Sequence, residues 1–210
     1  MSSYWRSVVG IRGGVGAAGA IGHYLVLLCV LAIFITLLQY PVAVLTARVA
    51  LGRFARDIAP AQVVAFSTQS SLASPAMIER AQTDLGMPTR VTGIALPLAV
   101  SLLRITSPPL NLAIVILAAY IYGVPLDPVR LAAGAALAVL MNFAVVGLPS
   151  QITFFTATVP ISMAMGVPVD LLPLLLAVEV IPDIFRTVGN VTADMTVTAM
   201  LAPRGGSSDA

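Results

Sequence analysis

Charge is what this sequence has least of. Only 10% of its 210 residues are charged, 59% are hydrophobic and the mean hydropathy is +0.99. A soluble globular domain carries about 25% charged residues, so there is too little polar surface here to cover a water-exposed domain. That excludes a soluble enzyme, a nucleic-acid binder and a disordered chain. It points to an integral membrane protein whose first partner is the lipid bilayer. Lysine is absent, and the eleven arginines against nine acids leave a net charge of +2, too small to imply an anionic macromolecular partner. Cys29 is the only cysteine, which excludes an internal disulfide and a thiolate metal site. His23 is the only histidine, which removes His-based triads and His-rich metal sites. Both lie at the start of the first apolar run, where they are expected simply to pack.

What is present is a series of apolar runs with polar interruptions. The run from Tyr24 to Ala47 outlasts the roughly 7–15 residues of a signal-peptide core. Residues 21–48 therefore read as a transmembrane helix, and residues 1–20 as a remnant or linker before it. Arg48, Arg53, Arg56 and Asp57 have the composition of a loop. Residues 61–85 are apolar at both ends and polar in the middle, from Ser67 to Pro75. Such a piece cannot cross a hydrocarbon core of about 30 Å, and a re-entrant hairpin fits better.

Residues 91–123 are long enough to span, but Arg104, Thr106, Ser107, Pro108, Pro109 and Asn111 fall in their middle. Paired prolines disfavour helix before them, which predicts two half-helices with an unwound joint. Residues 130–166 repeat the hairpin pattern around Gly147-Leu148-Pro149-Ser150-Gln151. Residues 170–202 form a last span, broken by Pro182 and Gly189, and residues 203–210 a disordered tail.

Hairpin and broken span thus recur at a separation of roughly eighty residues. The expected fold is an all-α integral membrane protein, a transport core with two re-entrant helical hairpins and discontinuous transmembrane helices in an inverted repeat. Interrupted segments at corresponding places in two repeats point to a transporter site at mid-membrane. Arg48, Arg53, Arg56, Arg80, Arg90 and Arg204 gather on one face, and Arg6, Arg12 and Arg130 on the other. The first face is expected to be cytoplasmic, in a multi-pass protein of a bacterial inner membrane.

The last span carries the sharpest signal. Glu179, Asp183, Arg186, Asn190 and Asp194 are spaced by four, three, four and four residues. At about 100° per residue they fall within about 80° of helix circumference and about 22 Å of its length, with Thr187 beside them. Each ionisable group at membrane depth costs at least about 2.5–3.5 kcal/mol, so such a row faces a protein interior or a hydrated cavity. It can be a structural zipper built on an Asp183–Arg186 pair, or a binding face for a charged solute and a cation. Three acids with one arginine exceed what one structural pair needs, which favours the binding face. Arginine offers a fork that matches a carboxylate, Asp183 can hold an ammonium group, and Asp194 and Asn190 offer oxygens to a hard cation.

Three stretches resemble the dicarboxylate/amino acid:cation symporter family, the glutamate-transporter family. The strongest is Asp183-Ile184-Phe185-Arg186-Thr187-Val188-Gly189-Asn190-Val191-Thr192-Ala193-Asp194. The second is Ala65-Phe66-Ser67-Thr68-Gln69-Ser70-Ser71, similar to the serine-rich tip of that family's first hairpin. The third, Gly147-Leu148-Pro149, sits where the family has Gly-Val-Pro in its second hairpin. The resemblance implies secondary active symport of glutamate, aspartate or a C4-dicarboxylate by an elevator-type core. It implies that Asp183 contacts an amino group and Arg186 a distal carboxylate. Thr187 and Asn190 would help to hold the solute, Ser70 and Ser71 its main-chain carboxylate, and Gly147 and Pro149 the outer gate. Asp194 would ligate sodium, with Asn190 and Glu179 as further cation-binding or coupling residues, Glu179 standing where many members carry Asp. No enzymatic activity and no organic cofactor is implied, only sodium or a proton as coupling ion.

Two departures from the family pattern matter. Where the family carries Asn-Met-Asp-Gly-Thr, this chain has Leu103-Arg104-Ile105-Thr106-Ser107. Arg104 is expected to act as a tethered cation in place of a bound sodium, or to pair structurally. Glu179, Asp183 and Asp194 against Arg104 and Arg186 leave one negative charge, so an anionic solute needs a co-bound cation or proton. Sodium-independent exchange is the alternative. The resemblance also covers only the family's C-terminal transport core. A truncated or split-gene subunit is therefore a rival reading, and a homotrimer is expected only if scaffold helices are supplied. An intramembrane aspartyl protease using Asp183 and Asp194 ranks lowest, because the two lie about 16 Å apart along a helix.

Overall fold

The computed structural model describes residues 15–47, 49–69, 93–94, 98, 104–145 and 150–201. Every regular element among them is an α-helix: α1 (Val15–Ala47), α2 (Leu51–Thr68), α3 (Ser107–Tyr122), α4 (Pro128–Ala144), α5 (Ser150–Met165), α6 (Leu172–Val178) and α7 (Val180–Leu201). The tips expected at Ser70–Ser71 and at Gly147–Pro149, and the tail, lie outside the described residues.

Within α1, residues 21–47 are long and apolar enough to cross a membrane, at about 40 Å. This is the one such span among the described residues. Its polarity is inside out. Tyr24, Leu28, Ala32, Thr36, Gln39 and Ala43 form a buried face, whereas Val26, Val30, Phe34, Leu37 and Leu45 are exposed. Tyr24, Thr36 and Gln39 are therefore among the inward side chains, as a hydrocarbon solvent favours, and the Thr46 hydroxyl, which is exposed, donates to the Val42 carbonyl of its own helix. His23 departs from expectation: it is exposed, because it lies off this face, and Cys29 is half-buried.

The chain divides into two compact units. The first combines the residues up to Ala32 with Thr106–Arg186. Here Ser107, Pro108 and Pro109 open α3, the prolines occupying a first turn that needs no amide donors. Gly123 closes the helix in the left-handed region (φ 68°). Asp127 then caps α4 by accepting from the Arg130 amide at 2.8 Å. Helices α4 and α5 run antiparallel, since Gly134 and Met165 meet at one end and Ala138 and Ile161 belong to the same cluster. Val115, Ala118 and Ala119 of α3 complete that core. Gly134 is a close approach: a Cβ there would sit 2.8 Å from Met165 Cγ and 3.2 Å from Leu112 Cδ1.

The second unit combines Ile33–Ile105 with the residues from Thr187 onward. It corrects the loop expected around Arg48–Asp57: Arg53, Arg56 and Asp57 belong to α2. The reason is an apolar stripe, Phe54, Ile58, Ala61 and Ala65, spaced four, three and four, which packs on Ala43, Val191, Met195 and Ala199. The charged residues belong to the same helix, with Arg53 and Asp57 paired at 3.6 Å. Gln69 ends α2 in the left-handed region (φ 51°), its amide donating to the Ala65 carbonyl.

The last span is interrupted at Glu179, between α6 and α7, and runs unbroken through Gly189. Pro182 accounts for the place. It has no amide hydrogen for the Val178 carbonyl four residues back, and its ring crowds that carbonyl. Glu179 itself keeps helical angles (φ −64°, ψ −18°) and accepts from the Asp183 amide at 2.9 Å, so the register of the row survives the break.

Gly134→Val should lower stability by about 1–3 kcal/mol through overpacking. Thermal melting in detergent checks this, and Met165→Ala in the same chain should restore part of the loss.

Candidate functional site

Ionisable side chains in an apolar span must find partners inside the protein. In the first unit they do. Glu179 and Arg186 are each 4% exposed. They are joined by an ion pair in which Arg186 Nη2 donates to Glu179 Oε1. Arg186 Nη1 faces Asp183 Oδ1 at 3.7 Å. Tyr24 Oη of α1, 1% exposed, donates to Glu179 Oε2 at 2.5 Å. A buried charge with one partner is costly, and this one has an ion pair and a hydrogen bond on opposite oxygens. Arg186 Nε is buried and has no hydrogen-bond partner.

The Asp183–Arg186 pair of the zipper alternative is present but is not the main partnership of Arg186. The closest acid to Arg186 is Glu179, a full two turns before it, and Asp183 is the looser contact. Glu179 was expected to serve a cation; its nearest charge is the guanidinium. The physical reason is reach: both long side chains extend along the helix face and meet, whereas the short Asp183 side chain does not.

In the second unit, the residues from Thr187 to Ala199 are buried on nearly all sides of α7. Thr187, Asn190 and Asp194 are 6%, 2% and 1% exposed. Asp194 Oδ1 has no hydrogen-bond partner, and half-buried Arg104 acts on Asp194 electrostatically. An orphaned buried carboxylate oxygen, with an amide one turn before it, is the hard-oxygen chemistry that suits sodium. Among the described residues no three His, Cys, Asp or Glu side chains cluster as a metal site.

Around α7 a polar frame holds the helix. Gln39 Nε2 donates to the Gly189 carbonyl at 3.1 Å. Gln62 Nε2 donates to Thr192 Oγ1 at 2.8 Å and to Tyr40 Oη at 2.9 Å. Thr192, Thr196 and Thr198 each donate to the carbonyl four residues back, at 2.8, 2.8 and 2.7 Å. Ser67 and Thr68 of the serine-rich stretch likewise donate to their own helix, to the Val63 and Val64 carbonyls. Ser70, Ser71, Gly147 and Pro149 lie outside the described residues.

A model of the sodium:dicarboxylate symporter family matches residues 6–203, nearly the whole chain. The chain belongs to the sodium:dicarboxylate symporter family. No curated protein matches it. Membership makes the protein a membrane transporter of the symport class rather than an enzyme, in a family that couples transport to sodium.

In this symporter, sequence reasoning missed Tyr24, Gln39 and Gln62. Tyr24 and Gln39 did leave a signal: with Thr36 they share the face of α1 that also carries Leu28, Ala32 and Ala43. Polar residues that recur along one stripe of an apolar span mark its inward face. Gln62 left none, because its partners come from α1 and α7 together.

Glu179→Ala should strip Arg186 of its ion pair and leave a buried guanidinium beside Asp183 alone. The expected cost is about 3–5 kcal/mol, read as a lowered melting temperature in detergent relative to wild type.

Proposed function

We propose that the chain is a secondary active transporter of small acidic solutes, glutamate, aspartate or a C4-dicarboxylate, with Arg186 as the carboxylate-binding group. The observation that carries this is the state of Arg186. It is a permanently charged side chain, buried in the segment read from the sequence as the last span, and its Nε donor has no hydrogen-bond partner. A fully structural arginine would be expected to have every donor engaged. A carboxylate is the ligand whose geometry best matches the remaining donor edge.

Asp183 supports an amino-acid solute, as it is the more exposed acid of the cluster and a carboxylate is the group that holds an ammonium. Thr187 and Asn190 supply hydroxyl and amide groups on the following turns of α7. Ser70, Ser71, Gly147 and Pro149 remain candidates through the family resemblance. On this reading the two expected hairpins are re-entrant and alternate as gates in an elevator-type movement, in a multi-pass protein of a bacterial inner membrane. A trimer is the assembly that the resemblance implies once scaffold helices are present.

Coupling belongs to Asp194 and Arg104. Asp194 would hold sodium, with Asn190 as a second oxygen ligand, and sodium would supply positive charge alongside an anionic solute. Arg104 acts electrostatically on that same carboxylate. It is proposed as a tethered cation that takes part of sodium's role, which lowers the number of ions needed per solute. A proton is the other coupling ion open to this site.

Arg186→Ala should abolish binding of acidic solutes, checked by thermal-shift titration with glutamate, aspartate and succinate. Retained binding would overturn the assignment. In liposomes, wild-type uptake should rise with an inward sodium gradient, and unchanged uptake would remove sodium from the mechanism. Arg104→Met should increase the sodium dependence of uptake. Ion dependence identical to wild type would end the tethered-cation reading.

A further inference from the structure

The Arg186 side chain is held at one edge and open at another. Glu179 occupies Nη2, Asp183 stands 3.7 Å from Nη1, and Nε is buried without a hydrogen-bond partner. Glu179 is in turn held from its far side. Its second oxygen accepts from the Tyr24 hydroxyl at 2.5 Å, and Tyr24 belongs to a different element, α1, 155 residues away in sequence. Tyr24 is itself immobilised, 1% exposed on the face that also buries Leu28 and Ala32.

We propose that Tyr24 is a positioning residue for solute recognition. Its hydroxyl fixes the carboxylate of Glu179, and Glu179 fixes the guanidinium of Arg186 so that Nε–H is the donor presented to an acidic solute. The proposal deepens the function argued above and rests on it. The guanidinium is a rigid planar fork on a long flexible stem, so a fixed partner on one edge sets the direction of the other edges. Engaging Nη2 with an internal carboxylate commits one of its two N–H donors, and Nε is the guanidinium nitrogen that is buried without a hydrogen-bond partner. Ordering the stem beforehand removes that entropic cost from the binding step. A buried N–H without a partner is unfavourable until an acceptor arrives, so the arrangement favours a solute oxygen over an apolar group.

The hydroxyl is the operative part of Tyr24. A phenylalanine of the same shape would fill the same buried space. It would release one oxygen of Glu179 and let the carboxylate, and the guanidinium with it, rotate. The consequence is selective: an acid that binds through Arg186 suffers, and its amide, which does not need the charge, suffers little. Loss of overall stability would weaken both alike.

The test uses the full chain purified in detergent and isothermal titration with acid and amide pairs: glutamate and glutamine, aspartate and asparagine, succinate and succinamate. The wild type should prefer the acid in at least one pair. Tyr24→Phe should weaken that acid by about tenfold, as expected for a lost hydrogen bond to a charged group, and leave the amide nearly unchanged. Glu179→Asp keeps the charge but is one methylene too short to touch Tyr24 and Arg186 together, and it should lower the same acid-to-amide ratio. A ratio that Tyr24→Phe leaves at its wild-type value overturns the proposal alone. A wild type that binds acid and amide equally overturns the acidic-solute reading and the proposal with it.

Discussion

The ion pair between Glu179 and Arg186 is the interaction on which the first unit turns. Neither charge could stay in an apolar span alone, and together they are tolerated only because each is closed off further. Tyr24 takes the free oxygen of Glu179, and Asp183 stands near the second terminal nitrogen of Arg186. The result ties α1 to the joint before α7 by a short, direct link. Such links are expensive to break from one side, since the orphaned charge remains buried. That cost explains why a membrane protein with so few charges can place several of them in one segment.

The joint itself has a local cause. Pro182, in the first turn of α7, has no amide donor for the Val178 carbonyl at the end of α6, and the helix yields at Glu179, the residue between α6 and α7. A one-residue interruption with helical dihedrals keeps the side chains in register while loosening the backbone. Glu179 can therefore lean toward both Tyr24 and Arg186 without losing its place one turn before Asp183. The remainder of α7 is stiffened differently, by threonines bonded to their own helix and by glutamines reaching in from α1 and α2.

Family membership gives these features their meaning. A sodium:dicarboxylate symporter must meet an anionic solute and a cation inside a low-dielectric environment. The described residues supply both kinds of chemistry: an arginine with a donor to spare in one unit, and a buried carboxylate oxygen without a hydrogen bond in the other. Each is unfavourable in isolation, and on the proposed reading each is relieved by a ligand of opposite character.

Much of this was open to a reader of the sequence. Low charge and long apolar runs select a membrane protein because the bilayer gives unpaired charges no solvent. The spacing of Asp183, Arg186, Asn190 and Asp194 places them on one helical face because the period of the α-helix is local. The amphipathic stripe of α2 was equally local, yet its arginines masked it, since composition was weighed above period. Partner choice was not local. That Arg186 takes Glu179 more closely than Asp183, that Tyr24 rather than a neighbour closes the pair, and that Gln62 bridges Tyr40 and Thr192 depend on which elements are brought side by side. A chain can specify the periodicity of each helix through its own backbone geometry, but the identity of a contact across 155 residues exists only once packing has brought the helices together.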